Sequence, residues 1–453
     1  MNRERIDDAL REASDTRNVT IGAGALVSVA DVFRESFGGD AAAVVVADEN
    51  TLEIAGEEVQ RLLREAGLET VEPYVFPGRP TLYAEYGSVE KLVEGLGGHD
   101  AVPVAVGSGT LNDVVKRAAH ERERPYACVG TAASMDGYTA FGASIEKDGH
   151  KRTLSCPAPR AVVADIDVLV GAPARMTASG YADLLGKVTS GADWLIADAL
   201  GVEPIDPKGW ALVQEHLRDW IGRPSDLAAG DAGAMDGLIE GLVMSGLAMQ
   251  SYESSRTASG AEHQFSHLWE GEGLGRDDDP PLSHGFKVGV GSVAIAALYE
   301  LVLERDLTNL DIGALKRSWP SEDGLEKAVR EAHTTPGLDA AAVEQSLAKH
   351  PDADELGARL DLLREEWPKL RGRLEEQLMP AGRLGDLLRE AGCPTGPEEI
   401  GLGVEEFRAT YARARMIRSR YTVLDLAHET GILEGCVEEL FSPGGYWAKN
   451  ATR

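Results

Sequence analysis

Between about Asn18 and Asp167, short β-branched runs alternate with stretches whose apolar residues recur every three or four positions. The runs lie at 42–46 (AAVVV), 71–75 (VEPYV), 102–106 (VPVAV) and 161–164 (AVVA), and segments 56–66 and 88–96 carry the helical spacing between them. Such alternation predicts βαβ units and an at least partly parallel sheet. After Pro173 the strand signals fade. Long helical patterns take over at 178–200, 238–255, 292–304 and 353–378, and Phe407, Tyr411, Ala414, Ile417, Tyr421 and Leu424 mark one apolar face. The turn-rich segments 277–281, 333–338 and 394–398 are short and flanked by periodic sequence, which makes them loops between helices.

The pattern therefore predicts an α/β domain over residues 1–172 followed by an all-α domain over 173–453. A chain of 453 residues exceeds the size at which a single core keeps growing, which agrees with two domains. The 75 acidic residues against 45 basic ones give a net charge of −30, which opposes binding to nucleic acid or an anionic membrane surface. Cys128, Cys156, Cys393 and Cys436 form no CxxC pair, and the polar first 16 residues lack the apolar segment of a secretory leader. With no 18-residue apolar run read in the chain, a cytoplasmic protein without a membrane span is expected. The oligomeric state, a homo-oligomer included, is left open.

Gly107, Ser108, Gly109, Thr110, Leu111, Asn112 and Asp113 stand where the run 102–106 turns into a helical pattern. Glycines there allow a phosphate to approach the backbone, and the amides of a helix N-terminus supply donors and partial positive charge. A tight turn capped by Thr110 is the plain alternative. The loop lacks the third glycine of the Rossmann fingerprint. Its acidic strand-end candidate, Asp48, also precedes it, whereas the fingerprint places that residue roughly 20 positions later. A nucleotide domain here predicts a different strand order. A second polar segment, 130–138 (GTAASMDGY), follows another strand-like stretch and offers a second cleft wall, or simply a loop in which Asp136 caps a turn.

Three of the ten histidines, His263, His267 and His284, fall close together, and on a helix the first two share a face. Asp183 offers a carboxylate early in the helical region. Two imidazoles and one carboxylate leave coordination positions open, as a catalytic metal requires. One of the three histidines is then free to face substrate. His99, His120, His150, His216, His333, His350 and His428 have no such company and are given no role.

Segments 107–113 (GSGTLND), 131–138 (TAASMDGY), 180–187 (GYADLLGK), 260–267 (GAEHQFSH) and 284–291 (HGFKVGVG) together resemble the sn-glycerol-1-phosphate dehydrogenase family. That family falls within the metal-dependent polyol dehydrogenase and dehydroquinate synthase-like group. Segments 394–400 and 417–426 are similar to its C-terminal signature, so the resemblance spans about Val44 to Leu433. Residues 334–378 carry no matching motif.

The resemblance implies NAD(P)H-dependent reduction of dihydroxyacetone phosphate to sn-glycerol 1-phosphate in a cleft between two domains. It implies Asp183, His263 and His284 as metal ligands, with zinc first in order and nickel or iron as alternatives. It further implies catalytic, substrate-facing roles for His267 and Asp136, and a catalytic role for Asp183 alongside its place among the ligands. Asp48, the residues Gly107 to Asp113, Thr131 and Ser134 match cofactor-binding positions. An acidic Asp48 favours NAD over NADP, because it would repel a 2′-phosphate. Two positions depart from the family pattern. Ala140 stands where a serine is expected, a loss of about 1 kcal/mol in hydrogen bonding, and Ala133 stands where proline is usual. Rival readings are a metal-dependent glycerol or polyol dehydrogenase acting on an unphosphorylated substrate and a non-catalytic nucleotide-binding relative. A dehydroquinate synthase-like lyase is disfavoured because Asp183 replaces that group's glutamate.

Overall fold

The computed structural model describes residues 3–147 and 150–450, without the side chains of His150 and Asn450. Six parallel strands form one sheet: β1 (Asn18–Gly22), β2 (Ala43–Asp48), β3 (Tyr74–Phe76), β4 (Val102–Gly107), β5 (Ala127–Gly130) and β8 (Ala161–Asp165). Their spatial order is β1-β8-β5-β4-β2-β3. The remaining strands, β6 (Ala143–Lys147) and β7 (His150–Leu154), pair as an antiparallel hairpin between β5 and β8.

Alternation along each strand explains the continuous apolar runs. Ala43, Val45 and Ala47 of β2, with Val102, Val104 and Val106 of β4, pack into one helical layer. Val44, Val46 and Ala105 pack into the layer on the opposite face. A sheet covered on both faces needs apolar residues at successive positions. The run at 71–75 yields only the short edge strand β3, since Pro73 has no N–H to donate to the ladder.

From β2 onward the strands follow the doubly wound order 2-1-3-4-5, so the chain switches sides of the sheet between β2 and β4. Open α/β sheets hold ligands beyond the carboxyl ends of strands at such a switch point. This is not the 3-2-1-4-5-6 order, in agreement with the reversed spacing of Asp48 and the glycine loop. The hairpin and β1 left no clear mark in the periodicity.

From Ala174 onward the described residues form helices joined by loops, without a strand. The pattern at 178–200 is two helices, Ala174–Leu185 and Lys187–Ala199. They meet at Gly186, where a β-carbon would come within 2.8 Å of Val288 Cγ1. The apolar series from Phe407 to Leu424 is buried throughout but is not one helix. It runs through Val404–Arg413, a 3₁₀ turn at Ala414–Ile417, and a new helix, Val423–Glu429, started by the Thr422/Asp425 capping box. The helix Arg3–Glu12 precedes the sheet in sequence yet buries Ile6 and Ala9 in the core of the helical region.

Two helices, Ala232–Tyr252 and His284–Glu304, are long and apolar enough to cross a membrane by length and composition. This corrects the expectation that no such stretch exists. In each, 78% of the apolar window is buried inside the protein, which marks them as central helices of the helical region.

Candidate active site

Three helices bring Asp183, His263 and His284 together, and glycine lets their backbones approach closely enough. Asp183 sits in the last turn of Ala174–Leu185, His263 in the first turn of the helix Ala261–Gly271, and His284 at the start of His284–Glu304. A β-carbon at Gly285 would collide with the carbonyl oxygen of Ser179, and one at Gly180 with that of Ala133. The first contact joins two of the helices, and the second seats the β5 loop against Ala174–Leu185. One potential ligand atom from each of Asp183, His263 and His284 lies within 4.8 Å of the others.

A carboxylate stands behind each imidazole. His263 Nδ1 lies 2.7 Å from Glu262 Oε1, and His284 Nδ1 lies 2.9 Å from Glu270 Oε1 and 3.2 Å from Ser266 Oγ. With Nδ1 donating to a carboxylate, Nε2 is left as the ligand atom, the arrangement by which proteins orient histidine on a metal. His263 Nε2 is 3.5 Å from Asp183 Oδ1. Glu262 is held in turn by Thr189 Oγ1 at 2.7 Å and the Gly260 amide at 2.6 Å.

Asp183 is fully buried and also accepts from Lys187 Nζ at 2.7 Å and the Asp136 amide at 3.1 Å. Lys187 reaches Asp136 Oδ2 at 2.9 Å, and Ser245 Oγ donates to the same oxygen at 2.9 Å. Burial alone would raise the Asp183 carboxyl, but Lys187 and the two imidazoles hold it far below the usual carboxylate range. Burial opposes a proton on His263, yet hydrogen bonds to Asp183 and Glu262 outweigh it and raise its proton affinity. Asp136, Asp183 and Glu262 set three carboxylates against the one ammonium of Lys187. Two imidazole nitrogens and one buried carboxylate oxygen form a donor set whose chemistry fits a metal.

His267 has a different environment. Arg418 Nη2 donates to its Nδ1 at 2.7 Å. A guanidinium is always a donor, so Nδ1 accepts and the ring proton sits on Nε2. Burial, reinforced by Arg418, keeps this imidazole neutral well below its ordinary titration range. Its ring centroid stands 6.0 Å from that of His263 and 5.9 Å from that of His284. Arg418 reaches it because the chain leaves helical geometry between Ile417 and Val423, the break that the apolar periodicity concealed.

The residues assigned to cofactor gather at the carboxyl ends of β2, β4 and β5. Gly107 ends β4, and Ser108 caps the helix Gly109–Glu121 without a side-chain bond, which leaves first-turn amides for a ligand. Leu111, Asn112 and Asp113 are buried. Asn112 Nδ2 donates to Gly137 O at 3.3 Å, and Asp113 Oδ2 accepts from the Ser144 amide at 3.2 Å. The Asn112 and Asp113 side chains brace the loop, and the Asn112 amide donates to Ser108 O at 3.0 Å. Thr110 is the neighbour of Gly109 in that first turn. Thr131 is buried, with its amide on Gly107 O at 3.1 Å, and Ser134 O accepts from Ser179 Oγ at 3.1 Å. Asp48 Oδ1 accepts the amides of Asn50 at 2.9 Å and Thr51 at 2.8 Å, so one carboxylate oxygen serves as a helix cap.

The family described as iron-containing alcohol dehydrogenase matches residues 20–173. The glycerol-1-phosphate dehydrogenase (NAD(P)+) of Bacillus subtilis is 32% identical over 393 residues, covering 86% of this chain and 86% of that protein. Its counterpart in Bacillus licheniformis is 31% identical over 395 residues, covering 87% of this chain and 84% of that one. The chain belongs to the glycerol-1-phosphate dehydrogenase family. The fold likeness reaches further. Glycerol dehydrogenase from Schizosaccharomyces pombe superposes with a TM-score of 0.60 at 18% identity, over 97% of this chain and 92% of the other.

For this member of the family, sequence reading passed over Glu262, Glu270, Lys187, Ser245, Ser266 and Arg418. Glu262 is adjacent to His263, and Lys187 is one turn from Asp183. No spacing rule separates such acidic or basic neighbours from solvated charges. Their role shows only in burial and in the direction of each hydrogen bond.

Proposed function

We propose that this protein reduces dihydroxyacetone phosphate to sn-glycerol 1-phosphate with NADH, and with NADPH as a second donor. The reading rests on family membership together with one observation. Asp183, His263 and His284 converge on a point, with both histidine Nδ1 atoms tied to carboxylates. In this reading these three residues would hold a divalent cation, which would supply Lewis-acid polarisation of a ketone, and the loops at the strand ends would hold a nicotinamide cofactor, which would supply hydride.

The chain's own groups do the rest. Glu262 and Glu270 fix the imidazoles so that Nε2 faces the cleft. Lys187 holds the Asp136 and Asp183 carboxylates in place and favours the charged form of Asp183. Asp136 accepts a substrate hydroxyl proton in a hydrogen bond and so orients the carbonyl. His267 presents Nε2–H to a substrate oxygen. Being neutral, it donates a hydrogen bond and orders water rather than giving up its own last proton, so the proton for the new hydroxyl comes from that water.

For the metal, the family's description names iron, whereas the resemblance put zinc first with nickel or iron as alternatives. The matched segment 20–173 ends before Asp183, and two imidazoles with one carboxylate suit iron, zinc or nickel. Asp48 beside the switch point supports NAD as the preferred cofactor. All four cysteines are free and buried, which supports a cytoplasmic setting. Metal analysis of the purified protein, combined with NADH and NADPH oxidation by dihydroxyacetone phosphate and chiral analysis of the product, tests the reading. Absence of NAD(P)H oxidation by the metal-loaded protein would reject it.

A further inference from the structure

Asp136 stands at the head of a segment, 136–142, that has no helix or strand of its own. Its backbone groups must therefore find partners elsewhere. Three of its carbonyl oxygens meet at one atom: Lys116 Nζ donates to Gly137 O at 3.0 Å, Ala140 O at 2.8 Å and Gly142 O at 3.0 Å. The ammonium thus commits all three of its protons to one short piece of backbone. Its side chain is wholly buried, with Asp113 Oδ1 at 3.4 Å as the balancing charge. A buried ammonium is tolerated only when it is paired and hydrogen-bonded in this way.

Lys116 belongs to the helix Gly109–Glu121, whose first turn is the candidate seat of the cofactor phosphate. Asn112 and Asp113, one turn earlier on the same face, grip the same stretch of chain. Asn112 Nδ2 reaches Gly137 O at 3.3 Å, and Asp113 Oδ2 accepts the Ser144 amide at 3.2 Å. Gly109 packs there too, since a β-carbon on it would come within 2.6 Å of Met135 Cγ. The helical region holds the segment from the other side. The Asp136 amide donates to Asp183 Oδ2 at 3.1 Å, and Thr139 Oγ1 donates to Val243 O at 2.7 Å. A β-carbon at Gly246 would collide with Thr139 Oγ1, so the segment lies directly on the helix Ala232–Tyr252. Contacts thus run unbroken from the first turn of Gly109–Glu121, through Lys116, to Asp136 and Asp183.

We propose that Lys116 is a positioning residue for the reaction: it ties the segment that carries Asp136 to the helix that seats the cofactor, and so sets the placement of hydride donor and ketone relative to each other. The assignment rests on the reductase reading given above. With every proton engaged and no exposed surface, Lys116 acts through the segment and not on a ligand. Methionine has nearly the same length but no donor, so Lys116→Met leaves the three carbonyls without their shared partner.

The test compares metal-loaded wild type and Lys116→Met in three measurements: Kd for NADH, kcat per NADH-binding site with dihydroxyacetone phosphate, and amide hydrogen exchange with and without NADH. In Lys116→Met, Kd for NADH stays near the wild-type value while kcat falls roughly 10- to 100-fold, the scale on which a misplacement of about 1 Å acts. Lys116→Arg, which keeps the charge and several donors, recovers part of that loss. In wild type NADH slows exchange at 139–144 as well as at 107–113, whereas in Lys116→Met the slowing is confined to 107–113. An unchanged kcat per site in a folded Lys116→Met protein overturns the assignment. Loss of NADH binding overturns it as well, because Lys116 would then be part of the cofactor seat itself. Should the variant not fold, wild type decides: exchange at 139–144 that is indifferent to NADH overturns the link. A wild-type protein that binds NADH but reduces no dihydroxyacetone phosphate rejects the reductase reading, while its exchange at 139–144 still decides whether the two segments are tied.

Discussion

Glu262 Oε1 lies 2.7 Å from Nδ1 of His263, its neighbour in the chain. Both residues are buried, and Glu262 has further donors in Thr189 and Gly260. A carboxylate in that place fixes the tautomer and raises the basicity of Nε2. Glu262→Gln keeps the shape and removes the charge. Metal affinity, measured by competition with a chelator, should fall roughly 10- to 100-fold, while circular dichroism shows the helices retained. Unchanged affinity would mean that Glu262 is a structural carboxylate only.

Removal of the metal should be visible in stability. Asp136 and Asp183 share Lys187, and Glu262 stands behind His263, so a divalent cation bound among Asp183, His263 and His284 would stabilise the folded state by mass action. The unfolding midpoint of wild-type protein should rise with added metal and fall with chelator. His284→Ala should lose both bound metal and turnover, and its midpoint should no longer respond to metal. A metal-free His284→Ala protein with full activity would remove this residue from the ligand set.

What the sequence revealed of this site, and what it did not, follows from the range of each signal. Strand periodicity made β2, β4 and β8 legible because both faces of the sheet are buried. The hairpin β6–β7 was missed because its short strands mix polar and apolar residues. His263, His267 and His284 stood out by density along the chain. The division between them came from family resemblance, and the structure adds a physical reason for it: carboxylates face His263 and His284, whereas a guanidinium faces His267. Arg418 lies over 130 residues from any of the three, so no local pattern ties it to them.

Asp48 has two tasks, and one substitution separates them. Its Oδ1 caps the turn at Asn50 and Thr51, while its charge lies beside the switch point where a cofactor ribose would sit. Asp48→Ser keeps a capping oxygen and removes the charge. The ratio of kcat/KM for NADPH to that for NADH should therefore rise, by about tenfold if roughly 1.4 kcal/mol of repulsion is relieved. The unfolding midpoint should stay within a few degrees of wild type. An unchanged cofactor ratio would place the ribose elsewhere.

Asp193 gives a pH dependence whose sign can be worked out. It is fully buried beneath the site and accepts from Tyr299 at 2.6 Å and from the amides of Ala261 at 2.7 Å and Val423 at 2.8 Å. Burial, together with the nearby negative charge of Glu262, pushes its carboxyl up from 3.8 to about 7. Between about pH 4 and 7 the folded state therefore holds a proton that the unfolded chain has released. Stability from this group is full below the unfolded value and declines as pH rises, by up to about 1.4 kcal/mol per pH unit, until it levels off above the folded value. Asp193→Asn cannot titrate. The stability of wild type relative to this variant, from denaturant unfolding at fixed ionic strength, should fall between pH 4 and 7 and flatten above that range. A constant difference would show that Asp193 holds no proton in the folded protein, and that Glu262 and Asp193 are both charged behind His263.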